Sequence, residues 1–168
     1  MYRTGHLGVT LLTFAPVGVT LVAAGAAGVA LLAGAAMLWL AMLPDVDHRI
    51  PGLAHRGPTH SLSFATVVGV AFAGGAVAVG TVAGGLSPVV GVPFAVVAGA
   101  VGWLTVVAHL LGDVLTPAGV AFLWPVSDRR RSLSLWTADN AVANYGLFAL
   151  GVAVTAGWVT FLLLGAGV

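Results

Sequence analysis

The sequence predicts an all-α integral membrane protein, a bundle of about five transmembrane helices arranged as two hairpins and a C-terminal helix. Of its residues, 60% are hydrophobic and only 7% are charged, against roughly 25% charged in soluble domains. The mean hydropathy is +1.09. Two uncharged runs, residues 7–43 and 62–108, are each too long for one span of about 20 residues and long enough for two.

Short breaks divide both long runs near their middles. The first run contains GAAG at 25–28, and the second contains GGLSP at 84–88. Glycine and proline at this density predict turns. The predicted helices therefore cover residues 6–24, 28–43, 60–83, 88–113 and 141–164, in a single domain of residues 1–168. A cleaved signal peptide is the alternative interpretation of the first helix.

Because successive helices cross the membrane in opposite directions, the charged and histidine residues all lie at one end of the bundle, which we call the polar end. Its loops are residues 44–59 and 114–140, whereas the turns at the opposite end are uncharged. All six Arg lie at the polar end, so the positive-inside rule predicts that this end and the N-terminus are cytoplasmic and that the C-terminus is outside. We expect a multi-pass protein of the cell membrane in contact with the lipid bilayer. Six Arg without any Lys do not form the basic stripe that nucleic-acid binding needs.

Three groups of Asp and His lie at the polar end and can supply metal ligands. A pair of acids two residues apart follows the second helix, two His flank a Gly-Pro turn, and a His and an Asp one helical turn apart share a face of the fourth helix. Mixed nitrogen and oxygen donors suit one or two divalent ions, with zinc or manganese favoured, and the absence of Cys excludes thiolate ligands. The predicted ligands are Asp45, Asp47, His60, His109, Asp113 and His6.

Other polar residues of the first loop are candidates for catalysis and substrate binding. His55 or His48 can act as general base or acid near neutral pH. The guanidinium of Arg56 can bind a substrate phosphate. The alternative is that this loop binds lipid headgroups and that its basic residues only fix the topology.

The motifs together resemble the YdjM-like family of inner-membrane-associated, predicted metal-dependent hydrolases. They are His6, LPDVDH at 43–48, HRGPTHS at 55–61 and HLLGDVLTPAGVAFLWP at 109–125, and the resemblance extends to about Ser134. It implies a multi-helix membrane protein with a divalent-metal hydrolase site. The site residues that it implies are Asp45, Asp47, His55, His60, His109 and Asp113, with His6 behind them.

These observations predict a membrane-embedded, metal-dependent hydrolase that acts on an ester or phosphoester at the cytoplasmic interface. The substrate would be a lipid or another membrane-associated molecule. A metal-ion or proton transporter is one alternative, but it would need polar residues through the bilayer midplane, where the helices have only Thr and Gly. A non-catalytic membrane protein with a structural metal is the other, and it would show a closed ligand shell.

Overall fold

The computed structural model describes residues 1–53 and 55–165 and contains five α-helices. They are α1 (Arg3–Ala23), α2 (Ala27–Trp39), α3 (Leu62–Val82), α4 (Phe94–Val114) and α5 (Ala141–Gly165). A short 3₁₀ helix, Pro44–Arg49, continues from α2. When it is counted with α2, all five helices are long and apolar enough to cross a membrane. The predicted fold class is confirmed.

Two helix ends differ from the prediction for local reasons. α2 ends at Trp39 rather than near residue 43, and the chain then forms turns that lead into Pro44. Pro44 has no N–H to donate to the carbonyl four residues earlier, so the hydrogen bonds of an α-helix cannot continue through it. α4 begins at Phe94 rather than near residue 88. There Val89 and Val92 exchange backbone hydrogen bonds of 2.8 and 2.9 Å, which close a tight turn before the helix.

Polar side chains cap the helices that leave the loops of the polar end. The hydroxyl of Ser61 accepts from the backbone N–H of Phe64 at 3.1 Å and caps α3. The side-chain oxygen of Asn140 accepts from the N–H of Ala143 at 2.9 Å and begins α5. Each cap satisfies a backbone donor that the first turn of a helix leaves free. Both loops are therefore joined to their helices at fixed positions.

The two hairpins meet through α1 and α4. α1 packs against α2, α3 packs against α4, and α4 also lies against both α1 and α2, while α5 packs along α1. Glycines permit the close approach of α1 and α5: a Cβ on Gly8 would overlap the backbone of Leu147, and one on Gly151 would lie 2.7 Å from the carbonyl oxygen of Gly8. This arrangement brings the start of α1, the end of α2, the start of α3 and the end of α4 together at the polar end.

Candidate metal centre

Four side chains from three parts of the chain meet inside the polar end. Nε2 of His60 lies 3.3 Å from Oδ1 of Asp45 and 3.5 Å from Oδ2 of Asp113. Nε2 of His109 lies 3.4 Å from each of the same two oxygens. We call these four residues the His/Asp quartet. Three of them are buried, and the side chain of Asp45 is 21% exposed.

The histidine-to-carboxylate distances in the quartet match the spacing of ligand atoms around a metal ion. Neither Nε2 atom has a hydrogen-bond partner among the described residues, although each lies close to two carboxylate oxygens. Around a tetrahedral zinc ion with bonds of about 2.0–2.1 Å, neighbouring ligand atoms are roughly 3.3–3.4 Å apart. The four distances that join an Nε2 atom to a carboxylate oxygen run from 3.3 to 3.5 Å. His60, His109 and Asp113 form one group that could hold a metal ion, and His109 belongs to a second such group with His6 and Asp45. Two imidazole nitrogens and two carboxylate oxygens are also a donor set that suits zinc or manganese.

The second nitrogen of each quartet histidine is held so that Nε2 points at the carboxylates. Nδ1 of His109 lies 2.8 Å from the carbonyl oxygen of Ala41. A carbonyl oxygen can only accept, so Nδ1 carries a proton, and in the neutral ring, the form that binds a metal, Nε2 carries the lone pair. Nδ1 of His60 lies 3.0 Å from the hydroxyl of Thr59 and 3.3 Å from Oδ2 of Asp47. Metal-binding histidines are commonly oriented in this way by a carbonyl or carboxylate.

Asp47 lies behind His60 rather than within the quartet. Its Oδ2 accepts from the backbone N–H of Arg56 at 3.1 Å and from the hydroxyl of Thr59 at 2.9 Å. Its Oδ1 lies 3.1 Å from Nδ1 of His55. The carboxylate therefore joins the loop after α2 to both histidines that flank the Gly-Pro turn. Direct binding of a metal by Asp47 stays a prediction.

His6 flanks the quartet from α1. Its ring stacks on that of His109, with centroids 3.9 Å apart and planes 2° from parallel. Its Nε2 lies 3.6 Å from Oδ1 of Asp113, and its buried Nδ1 has no hydrogen-bond partner among the described residues. Gly112 leaves room for this ring, because a Cβ there would lie 2.7 Å from Nδ1. Asp113 thus presents Oδ2 to the quartet and Oδ1 to His6.

Arg56 is buried, and its guanidinium is bound at the end of α4. Nη2 donates to Oδ1 of Asp113 at 2.9 Å, and Nη1 donates to the hydroxyl of Thr116 at 3.2 Å and the carbonyl oxygen of Gly119 at 3.4 Å. Its backbone has a φ of 58°, which is uncommon for a residue other than glycine. The structure therefore shows Arg56 holding a quartet carboxylate, and its contact with substrate stays a prediction.

His48 and His55 lie at the opening of the site. Both are exposed, and their rings are 3.8 Å apart with a 31° tilt. Ligand atoms of these two residues lie within 4.8 Å of one another and of atoms from Asp45 and Asp47. The pair is therefore open to solvent and next to the one quartet residue that is itself partly exposed.

Three residues outside the predicted site support it. The sequence indicated Thr59 only as a possible cap of the third helix and Asn144 only as a residue that could face the site, and it did not indicate Ala41. Thr59 contacts both Asp47 and His60, as described above, and it lies within the HRGPTHS motif, which was the available signal. Asn144 is fully buried, accepts from the N–H of Tyr2 at 2.9 Å, and thereby ties α5 to the start of α1. The carbonyl of Ala41 has no sequence signal, because every residue carries one.

The fold and the quartet define a class: a five-helix integral membrane protein with buried His and Asp groups that can hold a metal ion at one end. The whole chain, residues 1–168, matches the family described as YdjM inner membrane protein, and the chain belongs to that family. This confirms the resemblance and identifies a multi-pass protein of the inner membrane. No curated protein and no solved structure matches the chain.

Proposed function

We propose that this protein is a membrane-embedded, metal-dependent hydrolase that cleaves an ester or phosphoester at the cytoplasmic membrane interface. The His/Asp quartet is the observation that carries the proposal. It gathers two nitrogens and two oxygens at 3.3–3.5 Å in a buried position, and its histidine Nε2 atoms have no other partner among the described residues. Ionisable groups within a transmembrane bundle are costly and mark functional sites.

The quartet would hold one divalent ion, with zinc or manganese as the candidates. Such an ion activates water and polarises the bond to be cleaved. His6 would be available to a second ion, since its ligand atom lies within 4.8 Å of ligand atoms of Asp45 and His109. Arg56 donates to Oδ1 of Asp113 and fixes that carboxylate in place. Of the quartet, Asp45 is the partly exposed member, so substrate would approach from its side.

His55 is suited to move a proton at this opening. A carboxylate only accepts hydrogen bonds, so Asp47 holds the proton of His55 on Nδ1 and leaves the lone pair on Nε2. The side chain is 40% exposed and can exchange protons with water. An imidazole oriented by a carboxylate is a common general base near neutral pH. His48, which stacks against it, is the second candidate for acid or base.

The proposed orientation places the polar end in the cytoplasm, because all six Arg lie there. At this depth the site would meet the headgroup region of the inner leaflet. A lipid or another membrane-associated molecule is therefore the proposed substrate. The proposed position of the C-terminus is outside.

A structural metal site is a second candidate, and the number of ligands favours it. Four protein ligands in a closed shell are typical of structural zinc, whereas catalytic zinc commonly keeps three and an open position. The structure offers less support for transport. The buried hydroxyls of Thr10 and Thr105, on α1 and α4, donate at 2.8 Å to carbonyl oxygens of their own helices, so they do not extend a polar path from the site.

Elemental analysis of detergent-purified protein tests the metal site. We expect at least one equivalent of zinc or manganese in the wild type and background levels in a His109→Ala/Asp113→Ala double variant. Asp128→Ala, which changes an exposed acid of the second loop, should retain the wild-type metal content. Background metal in the wild type and the double variant alike would remove the basis of the proposal.

Hydrolysis is tested separately with carboxylic esters and phosphoesters presented in phospholipid vesicles. The expected result is turnover that a chelator abolishes and that added metal restores. Stoichiometric metal without turnover of any such substrate would instead identify the ion as structural.

A further inference from the structure

A groove faces the lipid below the quartet, with α1 as its floor and α2 and α5 as its walls. α2 and α5 each pack against α1, and the space between them has a volume of about 480 Å³. Its lining is apolar apart from one Thr hydroxyl and one indole N–H. Small residues keep the groove open. A Cβ on Gly34 would lie 2.9 Å from the ring of Phe14, which forms part of the floor.

We propose that this groove holds one acyl chain of a bilayer phospholipid and so positions the headgroup of that lipid at the quartet. The proposal rests on the proposed hydrolase function and names its substrate class. Both helices that border the upper groove also carry or lead to site residues. Leu11 is five residues after His6 on α1, and Leu38 is seven residues before Asp45. The top of the groove is therefore within roughly 10 Å of the site.

The depth of the groove matches the hydrocarbon layer. Its α2 wall runs from Leu38 to Ala27, which is roughly 17 Å of helix at 1.5 Å per residue. The groove therefore descends from just under the polar end to the region where only acyl chains surround the protein. An acyl chain that enters at the top would have its ester and phosphate groups level with Asp45.

The surroundings of the groove favour a hydrocarbon chain of the bilayer as its occupant. The lining is almost entirely apolar along this height, and at this depth only lipid acyl chains surround the protein. Lipid tails are as apolar as the groove wall, so burial in the groove adds little affinity. Its effect is to orient the lipid, which matters because small misplacements of reacting groups slow enzymes strongly.

Photocrosslinking in a bilayer tests the groove without requiring activity. The protein is reconstituted in phosphatidylcholine and phosphatidylglycerol vesicles containing a phosphatidylglycerol with a diazirine midway along one acyl chain. We expect label on the groove-lining segments of α1 and α2. Ala35→Trp, which fills the groove from an exposed position on α2, should lower this label about tenfold, a loss typical of a blocked apolar pocket. Ala71→Trp, at an exposed position on α3 outside the groove, should leave it unchanged.

Two labelling results would overturn the proposal. One is an even distribution of label over all the lipid-facing helices. The other is crosslinking of α2 to a second protein chain in place of lipid. If Ala35→Trp fails to insert, Ala35→Leu is expected to give the same change with a smaller amplitude, and an unchanged label in that variant also contradicts the proposal.

Kinetics separate the groove from the hydrolase proposal. Ala35→Trp should lower kcat/KM for a long-chain substrate in vesicles by about tenfold or more and leave a short-chain soluble substrate unaffected. Groove labelling without any hydrolysis would count against the hydrolase function and leave the lipid site standing. Hydrolysis with even labelling, or an equal effect on both substrates, would count against the groove alone.

Discussion

Replacing Asp47 by Asn distinguishes a direct metal ligand from a residue that acts through its neighbouring histidines. Oδ2 of Asp47 accepts from Arg56 and Thr59 and lies 3.3 Å from Nδ1 of His60, whereas Oδ1 lies 3.1 Å from Nδ1 of His55. We therefore expect the single amide oxygen of Asn to take the place of Oδ2 and its NH₂ group to face His55. An NH₂ group can only donate, so His55 would accept on Nδ1 and carry its proton on Nε2.

The expected changes in metal affinity differ between the two roles. Loss of an outer partner of a ligating histidine lowers affinity by about 10–100-fold, and the retained oxygen near His60 favours the lower value. The binding free energy of a structural zinc ion is about 10–16 kcal/mol, or roughly 3 kcal/mol for each of four ligands. Loss of one ligand therefore lowers the affinity for the ion by more than about 100-fold. Asp45→Asn should therefore weaken binding by at least about ten times more than Asp47→Asn does.

The expected loss of turnover follows from the tautomer of His55. Its Nε2 would become a donor and could no longer accept a proton, and general base catalysis is worth about 10²–10⁴-fold in rate. The same Asp-to-Asn change beside a catalytic histidine lowers kcat about 10⁴-fold in serine proteases. At saturating metal, we expect kcat of Asp47→Asn to fall within this range.

Three measurements check this prediction: chelator competition for metal affinity, ¹⁵N NMR of labelled histidines for the tautomer, and kcat at saturating metal. Asp128→Asn, at an exposed site, is the matched control and should behave as the wild type. A wild-type kcat with the proton still on Nδ1 of His55 would refute the reasoning. A loss of affinity as large as that of Asp45→Asn would make Asp47 a direct ligand.

Two further changes test the packing and the topology. Gly112→Ala places a Cβ 2.7 Å from Nδ1 of His6 and should destabilise the protein by about 1–3 kcal/mol through overpacking. The control is Gly146→Ala, whose Cβ would meet open space and should not destabilise the protein. Equal thermal stability of the two variants in detergent would contradict this prediction. The chain has no Cys, so Leu53→Cys and Leu86→Cys can be labelled with a membrane-impermeant thiol reagent. The first should react only from the cytoplasmic side and the second only from outside, and reaction of both from one side would break the five-helix topology.

The fold was predictable because the bilayer imposes simple requirements. A span needs about 20 apolar residues, so two uncharged runs of about twice that length imply four helices. Helix ends were less predictable. The early end of α2 at Trp39 and the late start of α4 at Phe94 depend on turns and hydrogen bonds between nearby backbone groups, which hydropathy does not encode.

The convergence of the quartet was also predictable, because alternate helices begin and end at the same face of a membrane. The hydrogen bonds that surround the quartet were not predictable. The contact of the Arg56 guanidinium with Asp113 and that of Asp47 with Nδ1 of His60 were not predicted, while the contact of Arg56 with substrate stays a prediction. Both contacts depend on the path of the chain between the 3₁₀ helix and the Gly-Pro turn, and hydrophobic periodicity gives no information about such a path.

The quartet also bears on how the protein is assembled during synthesis. Asp45 leaves the ribosome with the first hairpin, while His109 and Asp113 come only at the end of the second. If the quartet holds an ion as proposed, all four ligands would be in place only once the fourth helix lies against the first two. The ion would then link the two hairpins, so the supply of metal would affect the assembly of the fold as well as its chemistry.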